Sequence, residues 1–271
     1  MKKSTILAIA FFGIMTTVSI AASAQTNSDS PLITTTGPNV LGQGHIQWNN
    51  SLDYHHSTIN EINTSPKTNL NSFGGSTGLR FGVGDRAELT LDLSGAYNTF
   101  DTTYYHNTTG FTPAVGAKLL LYEGKGWLPM TAFFTKVALP MRQNAWNGKW
   151  GSKVQPEIGF QFRNRIGHSW LLDYSLGYSW NSVSSALDDP ASLFQYSLYL
   201  HKIVGNRHTF GFGIDNTNSM HRFEGCIDGR WQLNDNLQLT ARLGLAAGVV
   251  KTDKSIIGNI DALLGISWML K

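Results

Sequence analysis

Ionisable side chains recur at alternate positions in stretches that otherwise alternate polar with apolar residues. They are Asp53, Arg80, Glu88, Asp92, Lys118, Lys136, Glu157, Asp173, His201, Glu224, Asp228, Arg230, Arg242 and Asp261. Both signs are interspersed. Carboxylates, guanidinium groups and ammonium groups on one face of an extended chain can pair with one another, or they can bind and pass a polar solute. Facing hydrocarbon would be costly for all of them. Two uses stay open on sequence alone: a network that props a wall, and a polar path.

None of these groups has the spacing of a catalytic or metal centre. Gly82-x-Gly84-x-x-Ala87 matches a loose dinucleotide fingerprint, but phosphate binding needs a helix to open at that turn. Glu88-Leu89-Thr90-Leu91-Asp92-Leu93 alternates as a strand instead, so a hairpin turn is predicted. His55 and His56 are adjacent and face opposite sides of a strand. Asp53 and His55 share a face without a third ligand nearby, which predicts a hydrogen bond in the interior rather than a metal. His201 has serines nearby, but nothing flanks them to activate a nucleophile. No catalytic residue, metal or cofactor is expected.

The elements that carry these residues are strands. In Ala87–Asn98, Ala87, Leu89, Leu91, Leu93 and Tyr97 point one way while Glu88, Thr90, Asp92, Ser94 and Asn98 point the other. The same period-two pattern predicts about twelve strands, near 44–56, 70–83, 87–98, 111–122, 129–140, 153–163, 170–182, 193–203, 208–215, 221–233, 237–248 and 256–270. Compact polar turns such as Gly84-Asp85-Arg86 and Asn234-Asp235-Asn236 alternate with longer connections at 57–69, 99–110, 141–152, 183–192, 216–220 and 249–255. Bacterial outer-membrane barrels show this asymmetry, with tight periplasmic turns and longer outer loops. Phe81, Trp127, Phe162, Trp170, Trp231 and Trp268 fall at the periplasmic ends of the strands. Tyr54, Phe73, Tyr97, Phe111, Trp180, Phe194 and Phe223 fall at the outer ends, which gives two aromatic girdles.

Lys2 and Lys3, the apolar run from Ile6 to Ile20 and Ala22-Ser23-Ala24 have the form of a cleaved export signal. A retained anchor is the alternative, but the run is shorter than the ~20 residues that a spanning helix needs. Cleavage after Ala24 leaves 25–271 as one domain, opening with a polar entry segment over 25–40. Loss of the two lysines takes the formal net charge from +3 to +1, too little to recruit nucleic acid. Charged residues make up 14% of the chain, against about 25% in ordinary soluble domains. That deficit suits an outer belt in lipid. A soluble β-sandwich is the competing architecture, but its solvent face usually carries many Lys and Glu. Cys226 is the only cysteine, so no intrachain disulfide is possible.

Several segments resemble a family of outer-membrane transporters that carries a phenol-degradation (meta-cleavage) pathway label. They are Gly37-Pro38-x-x-Leu41-Gly42-x-Gly44, the run Leu79-Arg80-Phe81-Gly82-Val83-Gly84-Asp85-Arg86-Ala87-Glu88-Leu89, Lys136-Val137-Ala138-Leu139-Pro140, and Trp231 to Leu239 with Gly244. Two positions depart from the family pattern: Thr240 replaces an acidic residue, and the chain ends Trp268-Met269-Leu270-Lys271 without a terminal aromatic. The resemblance implies a barrel porter for small aromatic or hydrophobic solutes. The sequence thus predicts an all-β transmembrane antiparallel barrel that passes a small solute by passive diffusion. Its expected partners are outer-membrane lipid and the assembly machinery. A non-conducting structural or adhesion barrel and a lipid-modifying barrel enzyme are the alternatives. Counting back from the Gly84-Asp85-Arg86 turn also predicts an inward-facing Arg80–Glu88 pair near the periplasmic mouth.

Overall fold

Alternation with so few helix signals leaves the backbone one way to satisfy its polar groups across a membrane, a sheet closed on itself. The computed structural model has that form. It describes residues 37–61, 64–101, 107–139, 154–182, 191–205, 207–215, 223–247 and 254–270. The expected signal 1–24, its cleavage point after Ala24 and entry residues 25–36 lie outside the described residues.

Twelve strands follow in chain order: β1 (Ile46–Glu61), β2 (Thr64–Gly84), β3 (Ala87–Phe100), β4 (Thr108–Tyr122), β5 (Met130–Ala138), β6 (Gln155–Ile166), β7 (Trp170–Ser182), β8 (Ala191–Val204), β9 (His208–Asp215), β10 (Phe223–Asn234), β11 (Leu237–Ala247) and β12 (Lys254–Met269). Each pairs antiparallel with its sequence neighbours. β1 pairs with β12, Gln47 opposite Met269, and this seam closes the barrel. The turns at Asp85-Arg86, 123–129, 167–169 and Asp235-Asn236, together with Gly205 and Arg207, lie at one end with Ile46 and Met269. By the loop-length rule this end is periplasmic. Gly124 and Gly126 have φ of 83° and 63° in the longest of these turns, a backbone region that a side chain would strain. A soluble sandwich is excluded by the closed ring. Among the described residues no helix is long and apolar enough to cross a membrane.

Alternation sorts the wall cleanly. Leu91, Phe212, Ile227, Leu243, Leu245 and Leu264 are exposed on the outside. The intervening positions are buried and mostly polar: Gln47, Asn49, Glu88, Asp173, Ser175, Arg230 and Thr240 are examples. A soluble protein has the opposite arrangement; here the outer face is the apolar one. At the periplasmic rim Lys202 sits over the Trp170 ring at 4.8 Å and donates to Ser169 Oγ at 2.7 Å. A cation can sit on the lipid-facing side there because its head reaches the interface.

The connections expected at 57–69 and 99–110 are shorter than predicted. β1 runs to Glu61 and β2 starts at Thr64, while β3 runs to Phe100 and β4 starts at Thr108. Above the hydrocarbon belt both faces of a hairpin meet water, so alternation fades although the ladder continues. Tyr54 and Phe73 therefore lie within their strands, with ring centroids 5.0 Å apart, and not at the strand ends. Tyr97 is directly opposite Phe73, so these rings still form one band, and the β1–β2 hairpin rises beyond it. The side chain of Phe223 lies outside the described residues.

Candidate functional site: the polar lumen

Every ionisable residue singled out in the sequence has the inward parity of its strand. On β2 and β7 the inward side chains shrink from the periplasmic end outward. From the periplasmic end, β7 presents Leu171, Asp173, Ser175, Gly177 and Ser179, and β8 presents His201, Tyr199 and Ser197. On β2, Arg80 gives way to Gly78, Ser76, Gly74 and Ser72. Side chains therefore fill the periplasmic end, while in the outer half β1, β6 and β12 still carry Asp53, His55, Glu157 and Asp261 inward.

At the filled end Arg80 grips Glu88 with two bonds, Nε to Oε1 at 3.1 Å and Nη2 to Oε2 at 2.5 Å. This is the pair that turn counting predicts. Arg80 Nη1 also donates to Gln47 Oε1 at 2.6 Å, and Lys118 Nζ lies 3.6 Å from Glu88 Oε1. The cluster clamps the entry segment inside the barrel. The Leu41 amide donates to Glu88 Oε2 at 2.9 Å, and Lys118 Nζ donates to the carbonyls of Gly37 at 3.1 Å and Asn39 at 3.4 Å. Leu41 packs on Met269, and Pro38 is fully buried. Gly82 is inward-facing and lies so close to Gly42 that a Cβ there would strike the Gly42 carbonyl.

A second cluster crosses β6 to β10. Arg163 Nε and Nη2 donate to Asp173 Oδ1 and Oδ2 at 2.5 and 2.9 Å. His201 stands between two carboxylates, with Nδ1 3.2 Å from Asp173 Oδ2 and Nε2 3.1 Å from Asp228 Oδ2. The Tyr199 ring is parallel to it at 5.8 Å, and Arg230 Nε lies 3.8 Å from Asp228. Glu88, Asp173, Arg230 and His201 are each only 1% exposed. Charges so dry persist only when paired, and the pairing ties β2 to β3 and joins β6, β7, β8 and β10 to one another.

The outer half is mixed: Ser57, Asn98 and Glu224 are buried, whereas Asp92 and Lys136 meet water. Lys136 Nζ meets Asp92 Oδ2 at 3.3 Å, with side-chain exposures of 41% and 33%, and Glu157 is across the ladder from Lys136. Arg242 Nη2 donates to Glu224 Oε1 at 2.7 Å and lies 2.8 Å from Cys226 Sγ. His55 Nδ1 meets Asp261, not Asp53, across the β1–β12 seam, and its Nε2 is 2.5 Å from Ser57 Oγ. This chain has the order of a nucleophile relay. Ser57 is completely buried, however, so the geometry gives its hydroxyl no approach for an ester. Asp53 makes no ion pair or hydrogen bond to another described residue and rests against Gly74.

Sequence reasoning misses Arg163, Tyr199, Ser57 and the inward course of residues 37–41. Arg163 shares parity with Glu157, so alternation alone could have found it. Gly74-Gly75-Ser76-Thr77-Gly78 has the spacing of a nucleophile elbow, but it runs mid-strand in β2, where Ser76 bonds Ser51 Oγ at 2.8 Å.

The barrel has counterparts of known structure. The COG4313 outer membrane channel from Pseudomonas putida F1 matches with a TM-score of 0.61 and 13% identity over 86% of this chain and 97% of that one. The TodX deltaS2S3 mutant monoaromatic hydrocarbon channel matches at 0.55 and 8% identity, over 87% and 93%. The Pseudomonas putida toluene transporter TodX matches at 0.50 and 7% identity, over 89% and 95%. At these identities the likeness is one of fold. No protein-family model and no curated protein matches the sequence.

Proposed function

We propose that the protein is an outer-membrane channel that passes a small solute by passive diffusion. One observation carries this reading: a closed barrel with an apolar exterior encloses a polar, ionisable interior that is dry where Arg80, Glu88 and the entry segment meet and partly wet at Asp92 and Lys136. In this reading Asp53, Asp92, Lys136, Glu157 and Asp261 line the wide part. Arg80, Glu88, Lys118, Asp173, His201, Asp228 and Arg230 hold the narrow end, and Arg242 with Glu224 stands between. The clamped entry segment sets the size limit. Export through residues 1–24, cleavage after Ala24, residence in outer-membrane lipid and delivery by the assembly machinery belong to the same proposal. The family resemblance, and the fold shared with a monoaromatic hydrocarbon channel and a toluene transporter, support a small aromatic or hydrophobic solute.

The test is a planar-bilayer recording of the purified protein, with cell fractionation alongside. Discrete conductance steps, and a mature chain beginning at Gln25 in the outer-membrane fraction, are expected. Recovery in the soluble periplasm without detergent would overturn the membrane assignment.

A second reading, a non-conducting structural barrel, is favoured by the dryness of the narrow end. Silence from the wild type, and from a variant whose entry segment is displaced, would establish it in place of the channel.

A further inference from the structure

Three inward-facing carboxylates in the outer half, Asp53, Asp92 and Glu224, lie over glycines of the neighbouring strand. Asp53 is directly across the ladder from Gly74, and Asp92 from Gly78. A Cβ on Gly74 would collide with all three atoms of the Asp53 carboxylate. A Cβ on Gly78 would collide with Asp92 Oδ1, and a Cβ on Gly244 with the Glu224 carboxylate. Each acid thus lies flat along the wall in space that the neighbouring strand leaves by having no side chain. At Gly74 and Gly244 the obstacle is the far end of a flexible side chain, so an added methyl moves the carboxylate and leaves the ladder intact, whereas at Gly78 the Leu91 carbonyl also lies 3.3 Å away. At Gly82, by contrast, the obstacle is backbone.

From these contacts we infer that Gly74, Gly78 and Gly244 are width-determining positions of the channel, each seating one carboxylate out of the path of the solute. This inference rests on the channel reading above. It assigns the bore of the outer lumen to glycines that carry no chemistry, and makes the acids held against its wall, which outnumber Lys136 there, a source of preference for cations. Gly74 is the cleanest case. Asp53 has no ion pair among the described residues to hold it back, so displacement carries it inward.

The experiment is single-channel recording of the full mature protein in 1 M KCl, where the Debye length of about 3 Å screens charge and leaves width to dominate. Gly74→Ala and Gly244→Ala keep every charge. In an interior this narrow, each should lower conductance roughly 1.5-fold to twofold. Gly225→Ala is the control: it faces lipid, and its Cβ would meet only the Leu245 carbonyl at 3.8 Å, so conductance should not change. The double variant Gly74→Ala/Asp53→Ala removes the displaced carboxylate and should restore conductance to the wild-type level or above. In dilute salt Asp53→Asn should shift the reversal potential toward anions.

Wild-type conductance in both Gly74→Ala and Gly244→Ala overturns the inference. So does a double variant as narrow as Gly74→Ala alone. Heat-modifiable gel mobility checks folding. Failure of both alanine variants to fold would show that the carboxylates cannot yield, which also overturns it. Absence of conductance in the wild type is a different result, because it removes the channel reading itself.

Discussion

The two halves of the lumen are built from the same residue types on the same strands, yet they are different environments. At the periplasmic end Glu88, Asp173 and Arg230 are about as dry as a protein core. In the outer half, Asp92 and Lys136 form the same kind of pair with about a third of each side chain in water. What separates the halves is volume. Long inward side chains and the entry segment fill one end, while Gly78, Ala114 and Gly116 leave room beside Asp92 and Lys136 at the other. Identical charges therefore cement one end and leave the other open, so an ion pair in this barrel takes its meaning from its neighbours' size.

That contrast sets the order of expected effects. The largest is at the clamp. Glu88→Ala strands Arg80 and Lys118 in a dry site and releases the Leu41 amide, and should cost about 3–5 kcal/mol. Arg80→Ala/Glu88→Ala should cost less than the sum of the single variants, measured by urea unfolding followed through gel mobility. Strict additivity would mean that the clamp is not a unit. Next is the wall itself. Leu91→Arg puts a cation on the lipid face and should cost about 2–4 kcal/mol, whereas Ser94→Arg on the same strand faces the open lumen and should cost far less. Equal losses of assembly yield would reverse the facing of β3.

Gly82→Ala comes third. Its methyl strikes the Gly42 and Leu41 backbone, so the entry segment must leave its seat, at about 1–3 kcal/mol for overpacking. Conductance should rise; an unchanged trace would show that the segment does not limit flow. The smallest effect is Lys136→Ala in the outer half, where a half-exposed pair contributes about 0.2–1 kcal/mol. A loss comparable to that of Glu88→Ala would erase the distinction between the halves.

Much of this was legible in the sequence. Period two gave strand number and facing, because lipid on one side and water on the other impose a strict alternation. The Arg80–Glu88 pair followed from a two-residue turn, which fixes register over the next few residues. The tops of β1 and β2 read as a loop in the sequence because the outward face there no longer meets hydrocarbon and alternation fades. The seating of Asp53 on Gly74 needs a register across strands joined by a distant turn, and β1–β2 is the hairpin whose turn was misplaced. The inward course of residues 37–41 has no period at all: it depends on carbonyls meeting Lys118 and Arg80, which only tertiary structure brings together.

The clamp has a further consequence, for the order in which the barrel can assemble. The polar contacts of residues 37–41 are with side chains on β2, β3 and β4, all within the first half of the chain, and only the Leu41 contact with Met269 waits for the last strand. The β1–β12 seam instead joins the two ends of the strand order, with Gln47 opposite Met269. Contacts between near neighbours in sequence close small loops and form early, while contacts between distant ones wait on large loop-closure entropy. The amino-terminal hairpins can therefore fold around their own entry segment as a nucleus, and the later strands add in turn until the last one finds an edge that is already held in place.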